Sequence, residues 1–157
     1  MIRVAMILAM LATPVLGDTP KTACDWLARA ELEATLGAPV TLTPGFSRTN
    51  AAVRVSLCTA TTEDGDSLAL LYRDTSDETR SPADLVAAYR DELASVMNPP
   101  PNFEELDLGL AALWEATMHQ LTVWSHEGKV MMVFTLFGPH ARERCIAVAR
   151  SILEAGG

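Results

Sequence analysis

The spacing of apolar residues predicts three helices. Residues 22–40, TACDWLARAELEATLGAPV, indicate one amphipathic helix that ends near Leu36, with Gly37 as its cap. SPADLVAAYRDELASVM predicts a second helix, because Ser81 can cap it and Pro82 suits the first helical position. The prolines of NPPPN would end this helix. Its inward stripe would comprise Leu85, Tyr89, Leu93 and Val96.

The third predicted helix lies in GPHARERCIAVARSILEAGG near the end of the chain. Its apolar residues recur at the spacing of a single helix face. Cys145 belongs to this face and is therefore expected to point toward the core. The face consists of Ala141, Cys145, Val148 and Ile152.

Strand-like alternation fills most of the remaining chain. In AAVRVSLCTAT, Val53, Val55 and Leu57 share one face, and Arg54, Ser56 and Cys58 share the other. SLALLYR is apolar on both faces and indicates an inner strand. The predicted fold is therefore α+β, with a single antiparallel sheet of about six or seven strands packed by three helices. The other strand segments are VTLTPGF, FEELDLG, AALWEATM, QLTVWSH and KVMMVFTLF.

The last two strands predict a hairpin with a two-residue turn at Glu127-Gly128. This register pairs Trp124 with Met131, and it leaves one apolar face and one mixed face. The mixed face would be open to a ligand or a partner. It comprises Thr122, Trp124, His126, Lys129, Met131, Val133 and Thr135.

The first 17 residues, MIRVAMILAMLATPVLG, have the layout of a cleavable secretory signal. One positive charge precedes a short apolar run, and that run is too short to cross a hydrocarbon core of about 30 Å. We therefore predict a signal peptide at residues 1–17 and one α+β domain at residues 18–157. The expected location is the periplasm or the medium, with no stable membrane insertion after cleavage.

The charge balance excludes one class of partner. The chain has 12 basic and 20 acidic residues, for a formal net charge of −8. Such a surface repels phosphate backbones, so nucleic-acid binding is not expected.

Export gives the three cysteines a meaning, because thiols pair in oxidising compartments. Cys24, Cys58 and Cys145 allow three pairings. Since Cys145 lies on the inward face of a helix, where a thiol behaves as a small hydrophobe, the pattern favours a Cys24–Cys58 bridge. Such a bridge closes a loop of about 35 residues and would add about 3 to 4 kcal/mol in the chain-entropy model.

These patterns together resemble small exported bacterial domains of unknown function, many of them lipoproteins of actinobacteria, which are similar in shape to PsbP-like α/β sandwiches. The resemblance consists of C-x-x-L-x-x-x-E-L-x-x-x-L-G, a second cysteine in a strand, D-L-G-x-x-A and a closing helix. It implies a fold and a cysteine pair, but no reaction. The chain differs in having Cys145 and in lacking a lipidated cysteine. The matching residues are Cys24, Leu27, Glu31, Leu32, Leu36, Gly37, Cys58, Asp107, Leu108, Gly109 and Ala112.

Catalytic motifs are not found in the sequence. It has no serine-hydrolase elbow, phosphate loop, C-x-x-C pair or zinc-protease motif. We therefore predict no enzyme activity and no cofactor. The alternative function is a periplasmic carrier of copper or another metal, since imidazole and thioether groups suit copper. Its ligands would be His119, His126 and Met131.

The leading prediction is a non-catalytic accessory or binding domain, with an envelope protein as the expected partner. Trp124 and Met131 would supply the aromatic and apolar contacts that interfaces favour, and His126 lies on the same predicted face. Pro100, in the rigid NPPPN loop, would lose little entropy on binding. The alternative for Trp124 is that a helix simply covers it.

Overall fold

The computed structural model describes residues 20–156, and the predicted signal peptide lies outside this range. Seven antiparallel strands form one open sheet in the order β1-β2-β3-β7-β6-β5-β4. The predicted α+β class is confirmed. The strands are β1 (Val40–Thr49), β2 (Val53–Thr62), β3 (Ser67–Thr75), β4 (Phe103–Leu106), β5 (Ala111–Glu115), β6 (Gln120–Ser125) and β7 (Val130–Leu136).

Helices pack on both faces of the sheet. They are α1 (Ala23–Leu27), α2 (Leu32–Leu36), α3 (Pro82–Val96) and α4 (Ala141–Ala155). The first two and α4 share one face and enclose the main core with the inward residues of β2, β3, β6 and β7. The other face carries α3. Below, the two faces are called the core face and the α3 face.

The disulfide fixes α1 to the core face of β2. Cys24 and Cys58 are bonded, with their Cα atoms 5.1 Å apart, as the sequence favours. A capping box starts α1, since Asp25 N donates to Thr22 Oγ1 at 3.2 Å and Thr22 N donates to Asp25 Oδ2 at 2.9 Å. The disulfide therefore joins α1, which is too short to be stable alone, to an inner strand.

The opening helix is two helices rather than the single one predicted. Leu27 and Leu32 are both buried, but five residues apart on one helix they would point about 140° away from each other. A break over residues 28–31 allows both side chains to reach the core, and Ser151 Oγ accepts a hydrogen bond from Glu31 N at 3.0 Å there. Gly37 caps α2 at φ 81°, as predicted.

The other predicted helices have the expected starts, and α4 has the expected inward face; of the predicted α3 stripe, Leu85 and Tyr89 pack on the sheet, whereas Leu93 lies outside that cluster. Ser81 caps α3 by accepting a hydrogen bond from Asp84 N at 3.2 Å, and Pro82 begins the helix. All four predicted inward residues of α4, including Cys145, are buried. On α3, however, Val96 is 74% exposed, so the prediction that it faces inward is wrong. The helix packs on the sheet through its first turns, and its last turn extends beyond that contact.

The predicted register of the last hairpin is confirmed, but its turn is longer. Trp124 pairs with Met131, and the last pair is Ser125 with Val130. A 3-10 turn at His126–Gly128 joins the strands in place of the two-residue turn. Gly128 has φ 86°, and a Cβ there would lie 2.7 Å from Leu85 Cδ1, so glycine allows α3 to approach this turn.

Candidate partner-binding surface

Helix α3 covers the tryptophan that the sequence offered as a contact residue. Trp124 and Met131 both face α3, but Trp124 is only 3% exposed. The Tyr89 ring of α3 meets it edge-on, with the ring centroids 5.4 Å apart. The Tyr89 hydroxyl also accepts a hydrogen bond from Thr122 Oγ1 at 3.0 Å. The covered tryptophan, which the sequence left open as the alternative, is thus the arrangement in this structure.

The other predicted contact residues, His126 and Pro100, lie elsewhere. The His126 ring is on the core face beside Trp26 of α1, with the centroids 5.7 Å apart. Ser125 Oγ lies 3.0 Å from its Nδ1. Pro100 is exposed in the loop between α3 and β4. The structure therefore does not bring His126, Pro100 and Met131 together on one surface.

The alternative copper ligands are also separated. His119 precedes β6 and His126 follows it, so that the two histidines lie at opposite ends of a six-residue strand, roughly 20 Å apart. Met131 packs under α3. Within residues 20–156, no group of three or more His, Cys, Asp or Glu side chains is placed to hold a metal ion. In this structure His119, His126 and Met131 do not form one site.

The surface that does stand out is the half of the α3 face that α3 leaves uncovered. The helix packs on residues of β4, β5, β6 and β7. Beyond it, β2 and β3 carry a row of partly exposed apolar side chains. We call this the open face and define it as Val53, Val55, Leu57, Ala69 and Leu71.

The open face continues the apolar surface beneath α3. Leu57 pairs with Leu71, and Leu71 pairs with Val133 of β7, which is buried. At the outer border, Phe46 of β1 is 50% exposed. A groove of about 820 Å³ runs along this border, lined by Phe46, Arg48, Thr49, Asn50, Val53 and Val55.

Two arginines flank the open face. Arg48 of β1 and Arg73 of β3 both pair with Val55, one from each side, so their Cα atoms lie about 10 Å apart. Neither side chain makes an ion pair or a side-chain hydrogen bond with another residue in 20–156. The Arg54–Asp74 pair, at 3.5 Å, belongs to the core face. The open face is thus apolar and locally positive on an acidic chain.

A small cavity separates the open face from α3. Its volume is about 60 Å³, far below the few hundred Å³ of a typical small-molecule site, and Arg73, Glu78, Arg80, Glu92 and Lys129 contribute its charged lining. Arg80 Nε and Nη2 donate to the Glu78 carboxylate at 2.9 and 2.6 Å. These hydrogen bonds lower the pKa of Glu78 to about 2. The cavity is therefore lined by an ion pair, Glu78 with Arg80, and Arg73 lies beside it.

The free thiol offers no nucleophile at neutral pH. Cys145 is fully buried, and this burial raises its pKa to about 12. A thiol of that pKa stays protonated at neutral pH. It is therefore unreactive, because only the thiolate is nucleophilic. Cys145 thus serves as a core residue of α4.

Comparison of the chain with family models, with curated proteins and with solved structures gives no match. No helix within residues 20–156 has the length and apolar composition that a membrane crossing requires.

The sequence interpretation missed the open face, although a signal for it was present. Strand alternation places Val53, Val55 and Leu57 opposite Cys58. Because Cys58 bonds to α1, the helix must cover the Cys58 side of β2. The valine side therefore faces away from α1. The more apolar side of this strand therefore lies outside the main core.

Proposed function

We propose that this protein is an exported, non-catalytic binding domain whose open face contacts a partner protein of the cell envelope. The observation that carries this proposal is the apolar, partly exposed open face, bordered by two arginines that have no ion-pair partner within residues 20–156. The Cys24–Cys58 disulfide and the predicted signal at residues 1–17 support a location in the periplasm or the medium. The resemblance to small exported domains of unknown function fits the same proposal.

The open face differs in burial from the opposite side of β2 and β3. Burial of apolar surface contributes about 25 cal/mol per Å², and contiguous exposed apolar patches commonly mark interaction sites. Ser56 and Cys58 of β2 are buried under α1, whereas Val53, Val55 and Leu57 keep contact with solvent. A partner that covers these side chains would bury their remaining exposed apolar surface, and this burial would contribute free energy to binding.

The proposal is tested by site-specific photocrosslinking in intact cells of the native host. A variant with p-benzoyl-phenylalanine at Val55 should give a discrete crosslinked product with one envelope protein. The matched control carries the same group at Ala147, which is exposed on α4 on the opposite layer of the molecule. If the Val55 variant gives no product beyond that of the Ala147 variant, the open face is not a binding surface and the proposal fails.

A further inference from the structure

We infer that the occupant of the open face is an acidic amphipathic α-helix of the partner protein, lying beside α3; this inference rests on the proposed function. Three features favour this occupant: the dimensions of the open face, the position of α3 and the two arginines. Each of these comes from strand register and packing.

The width of the open face suits one helix. Arg48 and Arg73, the two borders of Val55, are about 10 Å apart at their Cα atoms, which is close to the 10 Å diameter of a helix with its side chains. Strands β2 and β3 have 10 and 9 residues and extend about 30 Å. A helix of up to about 20 residues spans that length.

Helix α3 shows how this face accepts a helix. Leu85 and Tyr89 pack on Trp124 and Leu113 and bury that half of the face. Sheets in α+β folds are completed by layers of helices, and neighbouring helices pack 8 to 10 Å apart. A second helix over Val55 and Leu71 would extend the same layer by one element.

The charges specify the flanks of this helix. Apolar side chains of the partner would contact Val55, Leu57 and Leu71, and carboxylates on both sides of its apolar stripe would reach Arg48 and Arg73. None of the side chains on this face of β2 and β3 is acidic, although the chain as a whole has a net charge of −8. Opposite charges at the borders of an apolar contact fix orientation and exclude wrong partners.

A second copy of this chain is a poorer occupant of the same surface. Two open faces packed against each other would bring the arginines of both copies together, with no carboxylate among the strand side chains of either face. Like charges placed in contact across an interface disfavour association. The charge pattern therefore favours a different, acidic chain.

The test extends the crosslinking experiment from the partner's identity to the crosslinked segment. Mass spectrometry of the Val55 product should map the crosslink to a segment with apolar residues at helical spacing, flanked by Asp or Glu. In that background, Arg73→Glu should lower the crosslink yield about tenfold, as should Arg48→Glu. Arg150→Glu, the same charge change at an exposed site on α4, should leave the yield unchanged. Circular dichroism and the intact disulfide establish that each variant is folded.

The possible results separate this inference from the proposed function. A Val55 product whose partner segment is basic or strand-like, or whose yield does not depend on Arg48 and Arg73, overturns the acidic helix but leaves a binding domain. A product with a second copy of the chain or with lipid also overturns it. Absence of any specific product at Val55 overturns both proposals.

Discussion

The two halves of the α3 face have similar side chains but different surroundings. Under α3, Trp124 and Leu113 are almost completely buried; the Tyr89 ring meets Trp124 edge-on, and its hydroxyl accepts a hydrogen bond from Thr122. Beside them, Val55 and Leu71 stay partly exposed on the same continuous sheet. The difference lies in the length and placement of one helix, not in the apolar character of the strands. A covered half stabilises the fold, and an uncovered half is available for binding.

The core face gives the reference for this comparison. There, α1, α2 and α4 cover the sheet, and the apolar side chains of β3 and β7 that point to them are buried. Adjacent residues on β3 therefore belong to different environments, since successive side chains point to opposite faces. This allows the comparison to be tested with single substitutions one residue apart.

The largest effect is expected for Leu70→Ala, compared with Leu71→Ala. Leu70 is fully buried in the core, and its truncation should lower the free energy of unfolding by about 3 to 5 kcal/mol. Leu71 lies on the open face, and its truncation should cost about 1 kcal/mol. Urea unfolding of both variants measures the difference. Equal losses would show that the open face is packed as tightly as the core.

Removal of the disulfide should have the next largest effect. The double variant Cys24→Ser, Cys58→Ser should lose about 3 to 4 kcal/mol, because the bridge closes a separation of 34 residues. Urea unfolding compares this variant with the oxidised protein. Since Cys24 lies on the core face, the loss should leave binding at the open face intact in conditions where the variant is folded. A binding defect in the folded variant would mean that the two faces are coupled.

The helices and the sheet could be predicted where one local rule decided the outcome. Ser81 and Gly37 are caps whose side chain or conformation acts within a few residues. The pairing of Trp124 with Met131 follows from strand alternation and a short turn. The Cys24–Cys58 bond follows from the helical position of Cys145.

The features that the sequence could not settle depend on packing between elements that are distant in the chain. The break between α1 and α2 exists because Leu27 and Leu32 must both reach the core. For Trp124, the alternative that a helix covers it is the one found, and the residues around Trp124 could not decide between the two because α3 is distant in sequence. The open face was missed because the extent of α3 across the sheet depends on tertiary contacts. The side of β2 that faces away from α1 was nevertheless deducible from the disulfide and the alternation.

A smaller effect is expected for Tyr89→Phe, which tests how α3 closes the covered half. The substitution keeps the ring against Trp124 but removes the hydroxyl that accepts from Thr122 Oγ1 at 3.0 Å. Because Thr122 is buried, its hydroxyl loses its partner, and the cost should be about 1 kcal/mol. Urea unfolding measures it, with Phe137→Leu, a substitution of an exposed ring outside the α3 contacts, as the control. No change in stability would mean that α3 is held by its apolar contacts alone.

The smallest effect concerns the turn that leads into α3 at the boundary of the two halves. The Glu78 carboxylate accepts from the backbone N–H groups of Thr79 and Arg80, at 3.0 and 2.9 Å, as well as from the Arg80 guanidinium. These contacts hold the pKa of Glu78 at about 2, below its ordinary value of 4.5. Glu78 therefore contributes stability that is fully present above about pH 4.5 and is lost as the pH falls toward 2.

Arg80→Gln should raise the pKa of Glu78 toward its ordinary value, because the guanidinium hydrogen bonds are its largest cause. NMR titration of the Glu78 carboxyl measures this shift directly. The stability at pH 7 should fall by only about 0.5 kcal/mol, since the Arg80 side chain is half exposed and solvent screens the pair. Arg150→Gln on α4 is the control of equal charge change. An unchanged Glu78 titration in the Arg80 variant would show that the backbone N–H groups alone order the turn that places α3 over one half of the sheet.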